Sequence, residues 1–299
     1  MRSSCIGIGS NAIRLLEADC DNLQLTPVLR ERRGTRLFAG LGNGRLTEES
    51  MSVSVEAVRE LAQIARSDNY LPLYIFATSA VRDAENGQEF TDRCLAATGV
   101  PVELVSGEDE GVLAYIGCST GAVEGVIDIG GGSTEFALGH GTTVDASISL
   151  QIGAVRLNGQ HPIFSSSDYD QTVDSCMEII SSRSGSLLCL PPRTCWTGVG
   201  GTMTTLGAMK KQIPLFDSLT CEGMLISQEE VARTGRDLSA MTMEMRRHVP
   251  GLMPHRADII PSGIAILEAS MRVFSIPEIR LSARGNMDGY LKKKIFKFS

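Results

Sequence analysis

Val126-Ile-Asp-Ile-Gly-Gly-Gly-Ser-Thr-Glu-Phe-Ala-Leu138 is the stretch whose reading decides the fold. Val126 and Ile127 begin an apolar strand that reaches Asp128, and Phe136 to Leu138 form a second one beyond Glu135. Gly130, Gly131, Gly132, Ser133 and Thr134 lie between them. A strand, a tight polar turn and another strand read as a β-hairpin. Glycines leave the turn without Cβ atoms, so backbone N–H groups can close around an anion. Asp128 and Glu135 bracket the turn with two carboxylates, a donor pair suited to a hard cation such as Mg²⁺. An ordinary glycine-rich hairpin with flanking acids is the plainer reading of the same residues.

Working outward, Cys5-Ile-Gly-Ile-Gly-Ser-Asn-Ala-Ile-Arg-Leu-Leu16 repeats this logic, with a turn at Gly9, Ser10 and Asn11 between two apolar strands. Two strand–turn–strand units predict a duplicated α/β architecture with one phosphate-gripping turn in each half. Neither turn is a Walker loop, and the dinucleotide fingerprint is absent as a strand–helix unit. A third glycine turn, Gly198-Val-Gly-Gly-Thr202, runs into a helix expected to start near Thr202. Gly200, Gly201 and Thr202 then either bind an anion at a helix N-terminus or allow close strand–helix packing.

The chain has 299 residues, enough for two compact domains, with 42% hydrophobic and 21% charged residues. A net charge of −7 argues against bulk capture of nucleic acid. It leaves room for a phosphate ligand held by backbone amides and a metal. The eight cysteines contain no C-x-x-C pair, and the four histidines are scattered, so a zinc site is not expected. Such cysteines read as reduced core residues of a cytoplasmic protein. No run of roughly 18 or more apolar residues suggests a membrane span.

Thr47 with Glu48 and Glu49 opens a predicted helix through Val55, Val58, Leu61 and Ile64. Arg30, Arg32, Arg33 and Arg36 before it read as a solvated face, with a phosphate-facing role open for one or two. Leu73 to Ser79 is a buried-strand pattern, and Arg82 follows its C-terminal end, where open α/β sheets bind ligands. A surface salt bridge is the alternative for Arg82. Ser106 caps a helix whose first turn holds Glu108, Asp109 and Glu110. One of these acids could act as a general base toward water, and spacing alone does not choose among them.

The domain boundary is expected near residues 121–125, giving domains 1–124 and 125–299. Ser147 to Leu157 reads as a strand and turn, followed by a helix around 169–180. Met241 to Met245 reads as flexible core filler. Arg256 to Leu267 reads as a helix start feeding a buried helix. The lysines of Lys292-Lys-Lys-Ile-Phe-Lys297 suit a helix C-terminus.

These residues resemble the exopolyphosphatase / guanosine pentaphosphate phosphohydrolase (Ppx/GppA) family, within the actin-like ATPase superfamily. The motifs that carry the resemblance run from Ile6 to Leu291: I-G-I-G-S-N-A-I-R-L-L, R-L-F-A-G-L-x-x-x-G-R-L-T-E-E and A-T-S-A-V-R-D-A-x-N-G-x-E-F come first. S-G-E-D-E-G, D-I-G-G-G-S-T-E-F, I-G-A-V-R-L, G-V-G-G-T-M-T-T-L and R-A-D-I-I-P-S-G follow in that order. The resemblance implies two ribonuclease H-like α/β domains with an active-site cleft between them. It implies Mg²⁺-dependent hydrolysis, with Mn²⁺ as an alternative ion, of the terminal phosphoanhydride of inorganic polyphosphate or of the 5′ phosphate of pppGpp. It implies a cytoplasmic homodimer as well.

Position by position, Glu110 matches the acid that deprotonates the attacking water, and Asp128 and Glu135 match metal-associated carboxylates. Gly130 to Thr134 and Gly9 to Asn11 match the phosphate turns, Arg82 an arginine facing the phosphate chain, and Gly200 to Thr202 the third turn. The family's first turn normally reads I-D-I-G-S-N-S, whereas this chain has Gly7 for the aspartate and Ala12 for the last serine. That departure keeps a second function in view, a receptor that binds polyphosphate or guanosine polyphosphate without turnover. A sugar-kinase-like ATP enzyme fits the hairpins but not the Glu110 and Arg82 segments.

Overall fold

The computed structural model describes the chain except residues 23, 67–71, 120, 122, 190–194, 214–217 and 297–299. In chain order the elements are β1 (Arg2–Ile8), β2 (Ala12–Asp21), β3 (Gln24–Gly34), the short pair β4 (Leu41–Gly42) and β5 (Arg45–Leu46), α1 (Glu48–Ala65), β6 (Leu73–Ala77), α2 (Ser79–Arg82), α3 (Gly87–Thr98), β7 (Val102–Leu104) and α4 (Gly107–Cys118). Next come β8 (Val123–Ile129), β9 (Thr134–His140), β10 (Thr143–Leu150), α5 (Ala154–Gln160), α6 (Ser166–Arg183), α7 (Gly185–Leu188), β11 (Cys195–Gly200) and α8 (Gly201–Lys210). The chain closes with β12 (Leu225–Ser227), α9 (Gln228–Ala240), α10 (Met243–Arg247), α11 (Ile260–Val273), β13 (Glu278–Leu281) and α12 (Asn286–Phe296).

Two compact units form: 1–117 with 286–299, and 118–285. The first sheet has the order β3-β2-β1-β6-β7, and the second has β10-β9-β8-β11-β13-β12. In each, an antiparallel three-stranded meander leads into parallel strands, β1 beside β6 and β8 beside β11. This is the ribonuclease H-like arrangement, present twice, and the duplication read from the two turns holds. The expected switch of domains at 124/125 differs from this division. The first unit ends earlier, and α12 joins it rather than the second.

The first sheet is covered on both sides. Ile6, Ile8, Ile13 and Leu15 pack with Met51, Val58 and Leu61 of α1 and Phe90 of α3. Alternate residues Cys5 and Leu16 face Leu113 of α4 and Met287, Tyr290 and Leu291 of α12. Ile295 and Phe296 pack against this cluster too, so the apolar end of α12 serves the unit's own core. Its lysines serve locally as well. Lys292 donates to the Ile116 carbonyl at 2.8 Å, Lys293 lies 3.7 Å from Asp109, and Lys294 pairs with Glu103.

Helix starts follow local chemistry. Thr47 accepts from the Ser50 N–H at the start of α1, and Ser227 with Glu230 forms a capping box on α9. In the second unit one apolar cluster joins Ile127, Ile129 and Phe136 of the sheet to Leu157, Val173, Leu206, Val231 and Ile264 of the helices. Residues 154–157, expected to close a strand and turn, instead begin α5. Met241 packs against this core as expected, whereas Met243 and Met245 of α10 are exposed. Of the cysteines, Cys189 is exposed and Cys195 half-buried, while the other six are buried. Among the described residues no helix is long and apolar enough to cross a membrane.

Candidate functional site

In the first unit the β1–β2 turn closes through the Gly9 N–H, which donates to the Ala12 carbonyl at 3.2 Å. The Ser10 and Asn11 carbonyls accept from the N–H groups of Phe38 and Arg36, at 2.9 and 3.1 Å. Peptides here are trans, so the Asn11 and Ala12 N–H groups point the opposite way from those carbonyls. The buried Ser10 hydroxyl shares a 2.9 Å hydrogen bond with the hydroxyl of Ser79, at the start of α2.

Arg82, at the end of α2, is turned inward. Its Nη1 donates to the Val105 carbonyl at 2.8 Å and to Glu110 Oε2 at 2.7 Å. Its Nη2 is buried without a hydrogen-bond partner among the described residues. Leaving such a charged donor unmet is costly, which makes it a ready partner for an anionic oxygen. The ion-pair alternative for Arg82 is met in a part-buried form, by Glu110 and by Asp83, whose Oδ1 lies 3.6 Å from Arg82 Nε. Among the three acids opening α4, Glu110 is buried against Arg82, while Glu108 and Asp109 are exposed and Asp109 accepts from the Ser106 hydroxyl. Burial separates acids that spacing could not.

Arg30 and Arg33 are occupied within the unit, Arg30 by Asp288 at 2.7 Å and Arg33 by Glu31 and Glu60 at 3.0 and 3.1 Å. Gly7 lies opposite Arg14 and is walled by apolar groups. A Cβ there would stand 3.0 Å from Phe76 Cζ and 3.3 Å from Met287 Cγ. The Phe76 ring is itself stacked on Tyr290 at a centroid distance of 4.3 Å. The three atoms nearest a Cβ at residue 7 are all hydrocarbon, from Phe76 and Met287.

In the second unit Asp128 and Glu135 are directly opposite across β8 and β9 and are both buried. The Gly130 N–H donates to the Ser133 carbonyl at 3.0 Å, closing this turn as Gly9 closes the first. The Ser149 hydroxyl, on β10, donates to Glu135 Oε1 at 2.7 Å. Two carboxylates facing each other across strands repel unless a cation or proton relieves them. Among the described residues no group of three or more His, Cys, Asp or Glu side chains could hold a metal. The pair fits Mg²⁺ all the same, because that ion commonly takes one or two carboxylates and completes its shell with water and phosphate oxygens.

The third turn lies against Asp128. Gly200 has φ 97°, and a Cβ there would stand 2.8 Å from Asp128 Oδ1, so only glycine suits the position. A Cβ on Gly201 would fall 2.1 Å from Arg256 Nη1 and 2.2 Å from Nη2, which places the end of that guanidinium against the turn. Thr202 opens α8 as expected, but its hydroxyl lies against Gly263 of α11, a close-packing contact. The structure thus brings Glu110 to Arg82, and Asp128 to Glu135 and Gly200. Ser79, Ser149, Arg156 and Arg256 were not singled out as site residues from the sequence. Ser79, Arg156 and Arg256 stand inside quoted motifs, which was the signal available for them.

The chain is 31% identical to exopolyphosphatase 2 of Mycobacterium tuberculosis, over 96% of this chain and 97% of that protein. It is 28% identical to exopolyphosphatase 1 of the same organism, covering 99% of this chain and 88% of that one. The crystal structure of the Aquifex aeolicus Ppx/GppA family member superposes with a TM-score of 0.83 at 26% identity, covering 99% of this chain and 98% of that one. With the sequence also matching the family itself across residues 18–298, the chain belongs to the Ppx/GppA phosphatase family.

Proposed function

We propose that this chain is a Mg²⁺-dependent exopolyphosphatase that removes the terminal phosphate of inorganic polyphosphate, with Mn²⁺ as an alternative ion. The observation that carries the reading is the part-buried Arg82–Glu110 contact, with a buried donor nitrogen of Arg82 left unmet among the described residues. Relatives named exopolyphosphatase, matched over nearly their whole length, support the same substrate class. Arg82 fixes the Glu110 carboxylate at Oε2, so that it orients a water and accepts its proton as the water attacks phosphorus. The bond from phosphorus to the bridging oxygen breaks, and the shortened chain leaves with the electron pair. Arg82 Nη2 and the N–H groups of the two glycine turns bind phosphoryl oxygens. Asp128 and Glu135 would hold the metal, which when bound neutralises charge on those oxygens.

Hydrolysis of the 5′ phosphate of pppGpp by the same groups is part of the proposal, as is a cytoplasmic homodimer. A second reading, a receptor without turnover, is favoured by one feature, Gly7 in place of the first-turn aspartate, with Phe76 and Met287 packed next to it. Phosphate release from short polyphosphate, long polyphosphate and pppGpp, with and without Mg²⁺, separates the readings. Hydrolysis predicts Mg²⁺-dependent release that Glu110→Gln lowers by about 100-fold or more. Binding without release above that variant would make the protein a receptor, and full activity in Glu110→Gln would end the proposed mechanism.

A further inference from the structure

We infer that Arg156, with the start of α5, is the positioning device that holds the Gly130–Ser133 turn in an anion-ready conformation. The inference rests on the reading of that turn as a phosphate binder. Three consecutive glycines are the most freely rotating backbone a chain can contain, and left alone they would rarely present a fixed set of donors. Here every carbonyl of the run is taken. The Ala154 N–H donates to Gly130 O at 3.0 Å, and the Val155 and Arg156 N–H groups donate to Gly131 O at 2.9 and 3.0 Å. Arg156 Nε donates to Gly132 O at 2.7 Å. Its Nη2 donates to Gln151 Oε1 at 2.6 Å, which pins the guanidinium.

Trans peptide geometry turns this into a statement about the donors. With the carbonyls of Gly130, Gly131 and Gly132 drawn toward α5, the N–H groups of Gly131, Gly132 and Ser133 point to the other side. No carbonyl dipole of the run is then left to repel an anion placed there. The approach of α5 needs a bare backbone at Gly153, where a Cβ would stand 2.5 Å from Gly131 and Gly132 backbone atoms. Thr134 anchors the end of the turn by donating its hydroxyl to Ile152 O at 2.6 Å. Arg156 is the one charged side chain in this clamp. It acts on the ligand through Gly132, with its cationic head spent on carbonyl oxygens.

The test measures tripolyphosphate binding in the presence of Mg²⁺ by calorimetry, together with kcat, KM and thermal unfolding, for the wild type, Arg156→Ala and Arg156→Lys. Hydrogen exchange at residues 131–133 is followed in parallel. Arg156→Ala is expected to raise both KM and the dissociation constant about tenfold, with faster exchange at the turn. Arg156→Lys, which keeps the charge but cannot hold Gly132 and Gln151 together, is expected to fall between. A purely structural role would lower the unfolding temperature and leave KM and turn exchange in the folded protein unchanged, which overturns the inference. If Arg156→Ala does not fold, unchanged binding and exchange in Arg156→Lys overturn it equally. Wild-type protein that binds no tripolyphosphate would instead overturn the phosphate reading of the turn, and the inference with it.

Discussion

The two hairpins share one backbone and carry opposite chemistry. Gly9 and Gly130 close their turns with the same N–H to carbonyl bond, four residues long in each case, and in both the turn carbonyls are drawn back into the unit. Two residues outside the closing bond, the second hairpin sets Asp128 against Glu135, and the first sets Gly7 against Arg14. The duplicated frame therefore supplies two sets of aligned N–H donors but one pair of acids. Backbone geometry was kept in both halves, while the side chains that decide charge diverged.

The largest effect should come from breaking the acidic half of this pair. Glu135→Gln is expected to lower phosphate release by about 100-fold or more and to raise the Mg²⁺ concentration required. Unchanged metal dependence in that variant would remove the second hairpin from any role with a cation. Making the first hairpin more like the second should fail in an informative way. Gly7→Asp sets a Cβ 3.0 Å from Phe76 Cζ, so the stacked ring must shift, at a cost of about 1–3 kcal/mol for the overpacking. Thermal unfolding should show the loss, activity should not rise, and Phe76→Leu in the same chain should recover part of the stability. A Gly7→Asp protein that melts like the wild type and gains activity would show that the pocket yields. A smaller effect is expected from Ser149→Ala, which frees Glu135 Oε1 from its donor. Calorimetric Mg²⁺ affinity should weaken about tenfold with little change in KM for polyphosphate. No change would leave Ser149 as packing only.

Much of this was legible in the sequence because it is local. Strand, glycine turn and strand lie within a dozen residues in each hairpin, and so do Ser106 and the acids it precedes. Arg82 was placed at the end of its strand for the same reason. What could not be read depends on distant partners. Nothing near Gly7 says that residues 76 and 287 fill the space beside it. The burial of Glu110, unlike Glu108 and Asp109, depends on α4 being docked against Arg82, which spacing along the chain does not show. Arg156 sat in a quoted motif without a role, because a seven-residue helix with an apolar start reads equally well as a turn. Local periodicity likewise gives no warning that α12 returns to the first unit.

That return has a consequence for how the protein is made. Domains emerging from the ribosome ordinarily fold in chain order, the first before the second. Here the face of the first sheet that carries Cys5, Leu16 and Phe76 is covered by Met287, Tyr290 and Leu291. Those residues are synthesised after the whole of the second unit. The second unit is continuous and can be completed first. The first unit lacks part of this face's cover until residues 287–291 have been made, so its core is completed only after the second unit has been synthesised.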